Sequence, residues 1–398
     1  MAYVILEMKS PLVVVGRNLT NNYRESLQYI SGDRVRAGFA KYILQNCPVY
    51  EVNKKEIVNN KVRYNWVYYR NEKQCIKCEF SEVCKNFSNM RFSFFYPQGT
   101  QVLPFTSMKC KYNKNHGFKD ILIRPKETKC NRCIEDTKNE GRMEAAYGFR
   151  KGKDVFDIDK VVYTRNSINR YTRTSKEGDL YNIVAVENKY FEGEIEGIEL
   201  IVEAMEKLNE EKIIRIGSYT SVGMGLAEIK VEDKKTGFNE KVLLKKLNEF
   251  NERIREKDYF GEYDKNYNYI PILLISNGKL GLEKENIEDY LSDDEYRKIW
   301  TKILKKDINF EFEVERVYTE TENYRGYDLS KEFTDIREDI VIINKMGTTI
   351  LLKTKENLST LVGELNKLEY KGIGNEKENG FGKVEICNEL HLKGEIYE

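Results

Sequence analysis

The segment Gly217-Ser-Tyr-Thr-Ser-Val-Gly223-Met-Gly225 returns 157 positions later as Gly374-Asn-Glu-Lys-Glu-Asn-Gly380-Phe-Gly382, so one chain carries two G-x5-G-x-G loops. Their surroundings match as well. Ala227, Ile229 and Val231 alternate after the first loop and Val384 and Ile386 after the second, the period-two pattern of a strand. Before the loops, Ile198, Ile201, Ala204, Met205 and Leu208 fall on one helical face, and Leu358, Leu361, Val362, Leu365 and Leu368 on another. Strand-like segments open both halves: Tyr3 to Met8 and Val13 to Val15 in the first, Ile270 to Ser276 in the second.

Strand, helix, strands, helix, strand is the split βαβ order of a ferredoxin-like or RRM-like domain, so the expected class is α+β with two such units in tandem. A chain of 398 residues with 40% hydrophobic content can bury two cores of this size. The expected boundaries are 1–235 and 269–398, with a charged, partly helical connector at 236–268. A cysteine-, lysine- and aromatic-rich insertion at about 49–157 interrupts the first unit. No apolar run approaches the roughly 18 residues of a membrane span, and Glu7 and Lys9 interrupt the first apolar stretch, which leads to the expectation of a soluble, cytoplasmic protein.

The net charge of +1 hides an asymmetry. Residues 1–180 hold 33 Lys and Arg against 19 Asp and Glu, a balance of +14, whereas residues 181–398 hold 33 against 46, or −13. Clustered cations suit a polyanion, because neutralising phosphates releases counterions. The acidic half is suited to solvent or to a basic neighbour.

Six of the eight cysteines fall between Cys75 and Cys133. Such clustering in a reducing compartment favours a metal over disulfides. Cys75, Cys78 and Cys84 lack a fourth ligand unless Cys110 serves, while Cys110, His116, Cys130 and Cys133 would complete a Cys3His set. One or two structural zinc ions are expected.

Three regions have the composition of an RNA contact. Ser31 to Phe39 leads into a helix for which Asp33 is the expected N-cap; Arg34 and Lys41, seven apart, fall on one face near its start, where free N–H groups attract phosphate, and Arg36 and, upstream, Arg17 add further cations. Thr164 to Ser175 interleaves Arg165, Asn169, Arg170, Tyr171 and Arg173, with cations for phosphate and an aromatic for base stacking. In the glycine loops, Gly217, Gly223, Gly225, Gly374, Gly380 and Gly382 permit close backbone approach. Ser218, Tyr219, Ser221, Asn379, Phe381 and Lys383 supply polar and apolar side chains there, although for Phe381 packing in the core is the favoured reading.

Taken together, Ser10-Pro11-Leu12, Tyr29 to Ala37, Leu103 to Lys111 with His116, Gly117 and Asp120, the Arg165 to Leu180 segment and both glycine loops resemble the RAMP superfamily of CRISPR-associated proteins. Within it the chain looks like the type III-D subunit group labelled Csx-ten, of the Cas-five-like kind. The early motif departs from the family's usual Pro-Gly-Ser-x-Leu-Arg-Gly run at Ser31, Asp33, Val35 and Ala37. The resemblance implies a noncatalytic subunit that binds guide RNA (crRNA) and caps its 5′ handle, and so meets target RNA only indirectly. Its implied partners are a large polymerase-like subunit, backbone subunits and small helical subunits.

Two enzymatic alternatives remain open. One is a metal-independent endoribonuclease processing guide precursors, which the supply of only two histidines, His116 and His391, disfavours. The other is a backbone subunit that cuts target RNA with a loop carboxylate, for which Asp33 is the candidate. A zinc-bearing interaction protein with no salt-sensitive RNA binding is the remaining reading.

Overall fold

The computed structural model describes the chain except residues 21–22, 138–140, 209–210, 233–238, 259–262, 283–291 and 397–398, and except the side chains of 16–20, 135–137, 177–179 and 333. The first unit is built from β1 (Ala2–Met8), α1 (Gly32–Gln45), β2 (Tyr96–Pro97), β3 (Tyr190–Ile195), α2 (Ile198–Lys207) and β4 (Leu226–Glu232). Its antiparallel sheet runs β4-β1-β3-β2, extended at the β4 edge by the short strand Ile213–Arg215. This is the ferredoxin-like order. Strands β1 and β4 register with Val4 opposite Val231 and Leu6 opposite Ile229. Their inward residues meet Val35, Phe39 and Ile43 of α1 and Ile198, Ile201 and Met205 of α2 in one core.

The second unit repeats the plan with β5 (Asn268–Leu274), α3 (Asp293–Leu304), β6 (Glu313–Tyr318), β7 (Thr349–Thr354), α4 (Leu358–Lys371) and β8 (Val384–Ile386), its sheet ordered β6-β7-β5-β8. Leu358, Leu361, Val362, Leu365 and Leu368 of α4 all enter its core. Fully burying each such side chain is worth about 1.5–3 kcal/mol, which is why the helical spacing was so clear in the sequence.

Three features differ from the expectation. The N-cap of α1 is Ser31, not Asp33: the helix starts at Gly32, and Asp33 sits in its first turn. Strand β2 lies inside the range read as an insertion, because two residues carry no periodicity, yet Tyr96 and Pro97 pair with β3. The expected connector contains the helix Glu240–Lys257, capped by the Asn239 side chain, which buries Leu243, Leu247, Phe250 and Ile254 in the second core. Residues 236–238 and 259–262 of that segment lie outside the described residues.

The rest of the insertion forms small sheets. One of them, Met143–Ala145, Ser107–Cys110 and Phe118–Asp120, takes its fourth strand, Glu395–Ile396, from near the end of the second unit. A separate four-stranded sheet combines the long hairpin Lys160–Ile168 and Ser175–Val186 with Tyr23–Ser26 and Val15–Thr20. No helix among the described residues is long and apolar enough to cross a membrane.

Candidate nucleic-acid interface and metal centre

The two glycine loops share one backbone conformation. Equivalent glycines have φ of 88° and 83° at Gly217 and Gly374, 96° and 78° at Gly223 and Gly380, and 71° and 68° at Gly225 and Gly382. Even the non-glycine residues at the same place, Tyr219 and Glu376, are both left-handed, at 59° and 56°. The closing bonds repeat as well, Ile216 N–H to the Gly225 carbonyl and Ile373 N–H to the Gly382 carbonyl, each 2.8 Å.

Their environments are opposite. Around Gly223 there is open space, and Ser221 and Val222 are exposed. The first loop is ringed by cations: Arg24 donates to the Tyr219 hydroxyl at 2.9 Å, Lys41 to the Thr220 hydroxyl at 3.3 Å and Arg215 to the Thr220 carbonyl at 3.5 Å. Arg34 donates to the Val15 carbonyl at 2.9 Å and to the Ser31 hydroxyl at 3.4 Å. Among the described residues none of these four cations pairs with a carboxylate. Met224 and Tyr219 pack against Val13, Ile183 and Ala185, joining this loop to the hairpin sheet. Arg24 and Arg215 were missed in the sequence because each is an isolated cation within a strand pattern.

In the second loop Gly380, Phe381 and Gly382 are buried against protein, while Asn375 and Glu378 stay exposed. A Cβ on Gly380 would lie 2.5 Å from the Phe92 carbonyl, and Phe92 N–H donates to the Glu378 carbonyl at 2.9 Å. Phe381 is 2% exposed and meets Phe94 and Tyr324 edge-on, so its ring presents no face to a base. Asn379 accepts from Arg36 at 3.1 Å. Arg36 also donates to the Phe87 and Ser88 carbonyls and stacks on Phe87 and Phe92, which makes it a strut between the units rather than a phosphate ligand. Lys383 faces Glu194 at 3.6 Å, and Lys377 pairs with Asp307. The structure thus places Arg36, Asn379, Gly380 and Phe381 in contacts between the halves and Lys383 opposite Glu194, while Gly374 and Gly382 close against backbone of their own unit.

The basic hairpin extends from its sheet. Its turn is held by Asn169, whose side-chain oxygen accepts from the N–H groups of Tyr171 and Thr172 at 2.9 and 3.4 Å. Asn169 is thus occupied by its own turn. Tyr171 is 98% exposed, and Arg170 and Arg173 are also exposed. At about 3.3 Å per residue the tip stands some 20 Å beyond Tyr163 and Ile183, so the structure does not gather these arginines with the loop cations. The Arg17 side chain lies outside the described residues.

Asp33 accepts from the Tyr324 hydroxyl at 3.0 Å through Oδ2, and its Oδ1 is buried without a partner. The two histidines are committed elsewhere. His391 Nδ1 lies 2.9 Å from Asp120 Oδ2 with both side chains inaccessible, and His116 faces thiols.

Cys110, His116, Cys130 and Cys133 are all buried, with their four ligand atoms within 4.8 Å of one another. Cys110 Sγ is 3.2 Å from Cys133 Sγ, and His116 Nδ1 is 3.3 and 3.4 Å from Cys130 and Cys133 Sγ. Metal–ligand bonds of roughly 2.0–2.3 Å give a zinc tetrahedron edges of about 3.5–3.8 Å, close to these three separations and inside the 4.8 Å that bounds the whole set, so the donors suit a tetrahedral ion. The Asn113 amide, 3.0 Å from His116 Nε2, orients the ring with Nδ1 toward the thiols. Burial pushes the Cys133 thiol up to about 12. Burial also acts to raise Cys110, but hydrogen bonds from Cys133 and from the Asn113 and Tyr112 backbone outweigh it and hold that thiol below its usual range. Cys78 and Cys84 pack against the first core, whereas Cys110 clusters with Cys130 and Cys133, so Cys110 is not the fourth ligand of the earlier cysteines.

No curated protein matches the chain. Among solved structures, a type III-B Cmr-beta complex bound to cognate target RNA and AMPPnP contains a chain with 13% identity and TM-score 0.40, covering 92% of this chain and 93% of that one. A Csm3-Csm4 subcomplex of a type III-A CRISPR-Cas interference complex contains one with 12% identity and TM-score 0.33, covering 88% and 92%. The family model described as the RAMP superfamily matches residues 61–228, from the insertion through the exposed glycine loop into β4.

Proposed function

We propose that this chain is a noncatalytic guide-RNA-binding subunit of a type III CRISPR ribonucleoprotein, with the first glycine loop and its ring of Arg24, Arg34, Lys41 and Arg215 as the backbone-gripping surface. The carrying observation is that Arg24, Lys41 and Arg215 reach an exposed, left-handed glycine loop and Arg34 is held nearby on the Val15 carbonyl, all four without a carboxylate partner among the described residues, whereas the sister loop's Lys377 and Lys383 face Asp307 and Glu194. A cation without an acid beside it keeps its charge for phosphate. The RAMP superfamily match over the same loop supports the choice of ligand. The exposed hairpin with Tyr171, Arg170 and Arg173 forms a second contact, suited to a single strand whose bases can stack. The finer assignment, a Csx-ten-like type III-D subunit capping the 5′ handle beside a large polymerase-like subunit, rests on the sequence resemblance.

The reading as a binder rather than a nuclease is favoured by the engagement of both histidines and of Asp33 in protein contacts. Zinc at Cys110, His116, Cys130 and Cys133 would be structural, since four protein ligands leave no open position for a reacting water. The test is crosslinking of guide RNA in the assembled complex, comparing wild type with Arg24, Lys41 and Arg215 changed to Gln. Crosslinks at the 5′ handle that disappear in the variant are expected. Cleavage of RNA by the isolated chain, or crosslinks unchanged in the variant, would overturn the proposal.

A further inference from the structure

The duplication of the chain reaches its hairpins. In the first unit the hairpin Lys160–Ile168 and Ser175–Val186 lies between β2 and β3 in the chain, and in the second unit the hairpin Thr321–Tyr327 and Arg337–Asn344 holds the same place, between β6 and β7. The first hairpin carries the exposed Tyr171, Arg170 and Arg173. The second has a face of the same chemistry, which no motif in the sequence disclosed.

Period-two alternation sorts the residues of this second hairpin. Tyr324 and Gly326 turn inward: Tyr324 donates to Asp33, and Gly326 is buried, with the Glu338 carboxylate lying where a side chain would be. Arg325 and Tyr327 turn outward, about 6.6 Å apart along the strand. Their partners in the register are Ile340 and Arg337, so Arg325, Tyr327, Arg337 and Ile340 form one cluster of cross-strand neighbours. All four are exposed, Tyr327 by 62%.

Charge selects the occupant of this face. Residues 181–398 have a balance of −13, yet among the described residues neither Arg325 nor Arg337 pairs with a carboxylate. Nearby acids are engaged elsewhere: Glu338 lies against Gly326 on the inner face, Asp328 is held by Ser330 and Arg63, and Glu320 pairs with Lys345. Glu322 and Asp339 are exposed and make no ion pair with either arginine. Two free guanidiniums beside an exposed phenol ring suit phosphates with a base between them, the combination that a single strand of RNA offers. The face also continues the RNA surface proposed above, because Tyr324, next to Arg325, is bonded to Asp33 at the start of α1, next to Arg34.

We infer that the outer face of the second hairpin, Arg325, Tyr327 and Arg337, is a further binding site for single-stranded RNA, with the arginines on phosphates and the tyrosine against a base. This rests on the reading of the chain as a guide-RNA binder. It gives the second unit an RNA contact that its own buried glycine loop does not supply.

Fluorescence anisotropy of the purified full chain with single-stranded RNA at several salt concentrations tests the site, beside photocrosslinking of guide RNA in the assembled complex. Arg325→Gln with Arg337→Gln should weaken binding and flatten the slope of log K against log salt by about 1.4, at about 0.7 per phosphate contact. Tyr327→Ala should weaken binding about fivefold or more with the slope unchanged. Crosslinks to Tyr327 should come from guide nucleotides other than those joined to the first loop. All three side chains are exposed, so melting temperatures should not move. The variant with Arg24, Lys41 and Arg215 changed to Gln separates this site from the first loop. If it loses affinity while the hairpin variants bind as wild type does, the hairpin site falls and the first loop stands; the reverse result leaves the hairpin site standing and removes the first loop. A wild-type chain that binds no single-stranded RNA overturns both. Hairpin variants with unchanged RNA affinity that release another subunit from the complex would make the face a protein-docking surface and overturn the inference.

Discussion

Asp33 and Tyr324 join the first turn of α1 to a hairpin of the second unit, Thr321–Tyr327 with Arg337–Asn344, through a 3.0 Å hydrogen bond from the phenol to Oδ2. Burial raises the Tyr324 pKa, and the charge of Asp33 adds to the rise, so the phenol remains a donor at any working pH. Tyr324→Phe removes the one hydrogen-bond partner, among the described residues, of a carboxylate whose Oδ1 already has none, and should cost about 1–3 kcal/mol in denaturant unfolding. Asp33→Asn keeps an acceptor for Tyr324 and should leave both assembly and target-RNA cleavage by the whole complex unchanged. A complex that assembled normally but stopped cutting would instead make Asp33 a catalytic carboxylate.

The sister loops should respond differently to the same substitution. Alanine at Gly223 adds a Cβ in open space at φ of 96°, and at Gly380 it adds one 2.5 Å from the Phe92 carbonyl and 2.9 Å from Ser93 backbone atoms at φ of 78°. Both carry the left-handed strain of roughly 1–2 kcal/mol, and only Gly380→Ala must also push two backbones apart. Thermal melts should show the larger loss for Gly380→Ala. RNA affinity should fall more for Gly223→Ala, and equal affinities for the two would argue against the first loop as the contact.

Salt dependence separates the ring from the hairpin. Removing Arg24, Lys41 and Arg215 together takes away about three phosphate contacts, so the slope of log K against log salt should flatten by about 2 for a single strand, at about 0.7 per contact. Tyr171→Ala should leave that slope unchanged and weaken binding by about 1–3 kcal/mol through lost stacking. Because Tyr171 is 98% exposed, its removal should move stability by less than about 0.5 kcal/mol. Titration by fluorescence anisotropy at several salt concentrations reads both effects.

The duplication was legible because a left-handed turn imposes glycine at fixed offsets, and Gly217, Gly223 and Gly225 with their counterparts satisfy that local demand. The Cys3His set was legible for the same reason, as its ligands are close in sequence. What the sequence concealed was decided by packing between distant segments. Nothing local to Gly380 or Arg36 tells that the second loop is pressed onto Phe92, nor that Arg24 and Arg215 converge on Tyr219 and Thr220, whereas the core position of Phe381 was the favoured reading. Asp33 has the chemistry of an N-cap and sits two residues too late to be one.

Metal removal at the Cys3His site should unfold locally before it unbinds RNA. Cys110 ends the strand Ser107–Cys110, and its sheet partner Phe118–Asp120 carries the last described strand, Glu395–Ile396. A metal held by Cys110, His116, Cys130 and Cys133 would therefore cross-link a sheet to which both units contribute. A ligand present at 100 times its dissociation constant stabilises the folded form by about 2.7 kcal/mol, so chelation should lower the melting temperature and open the 111–142 segment to protease. RNA binding through Arg24, Lys41 and Arg215 should persist under the same mild chelation, because those side chains are held by the first loop rather than by this sheet. Limited proteolysis with parallel binding assays checks both. If RNA affinity collapsed while the 111–142 segment stayed protected, the metal would belong to the RNA-binding surface and not to the scaffold.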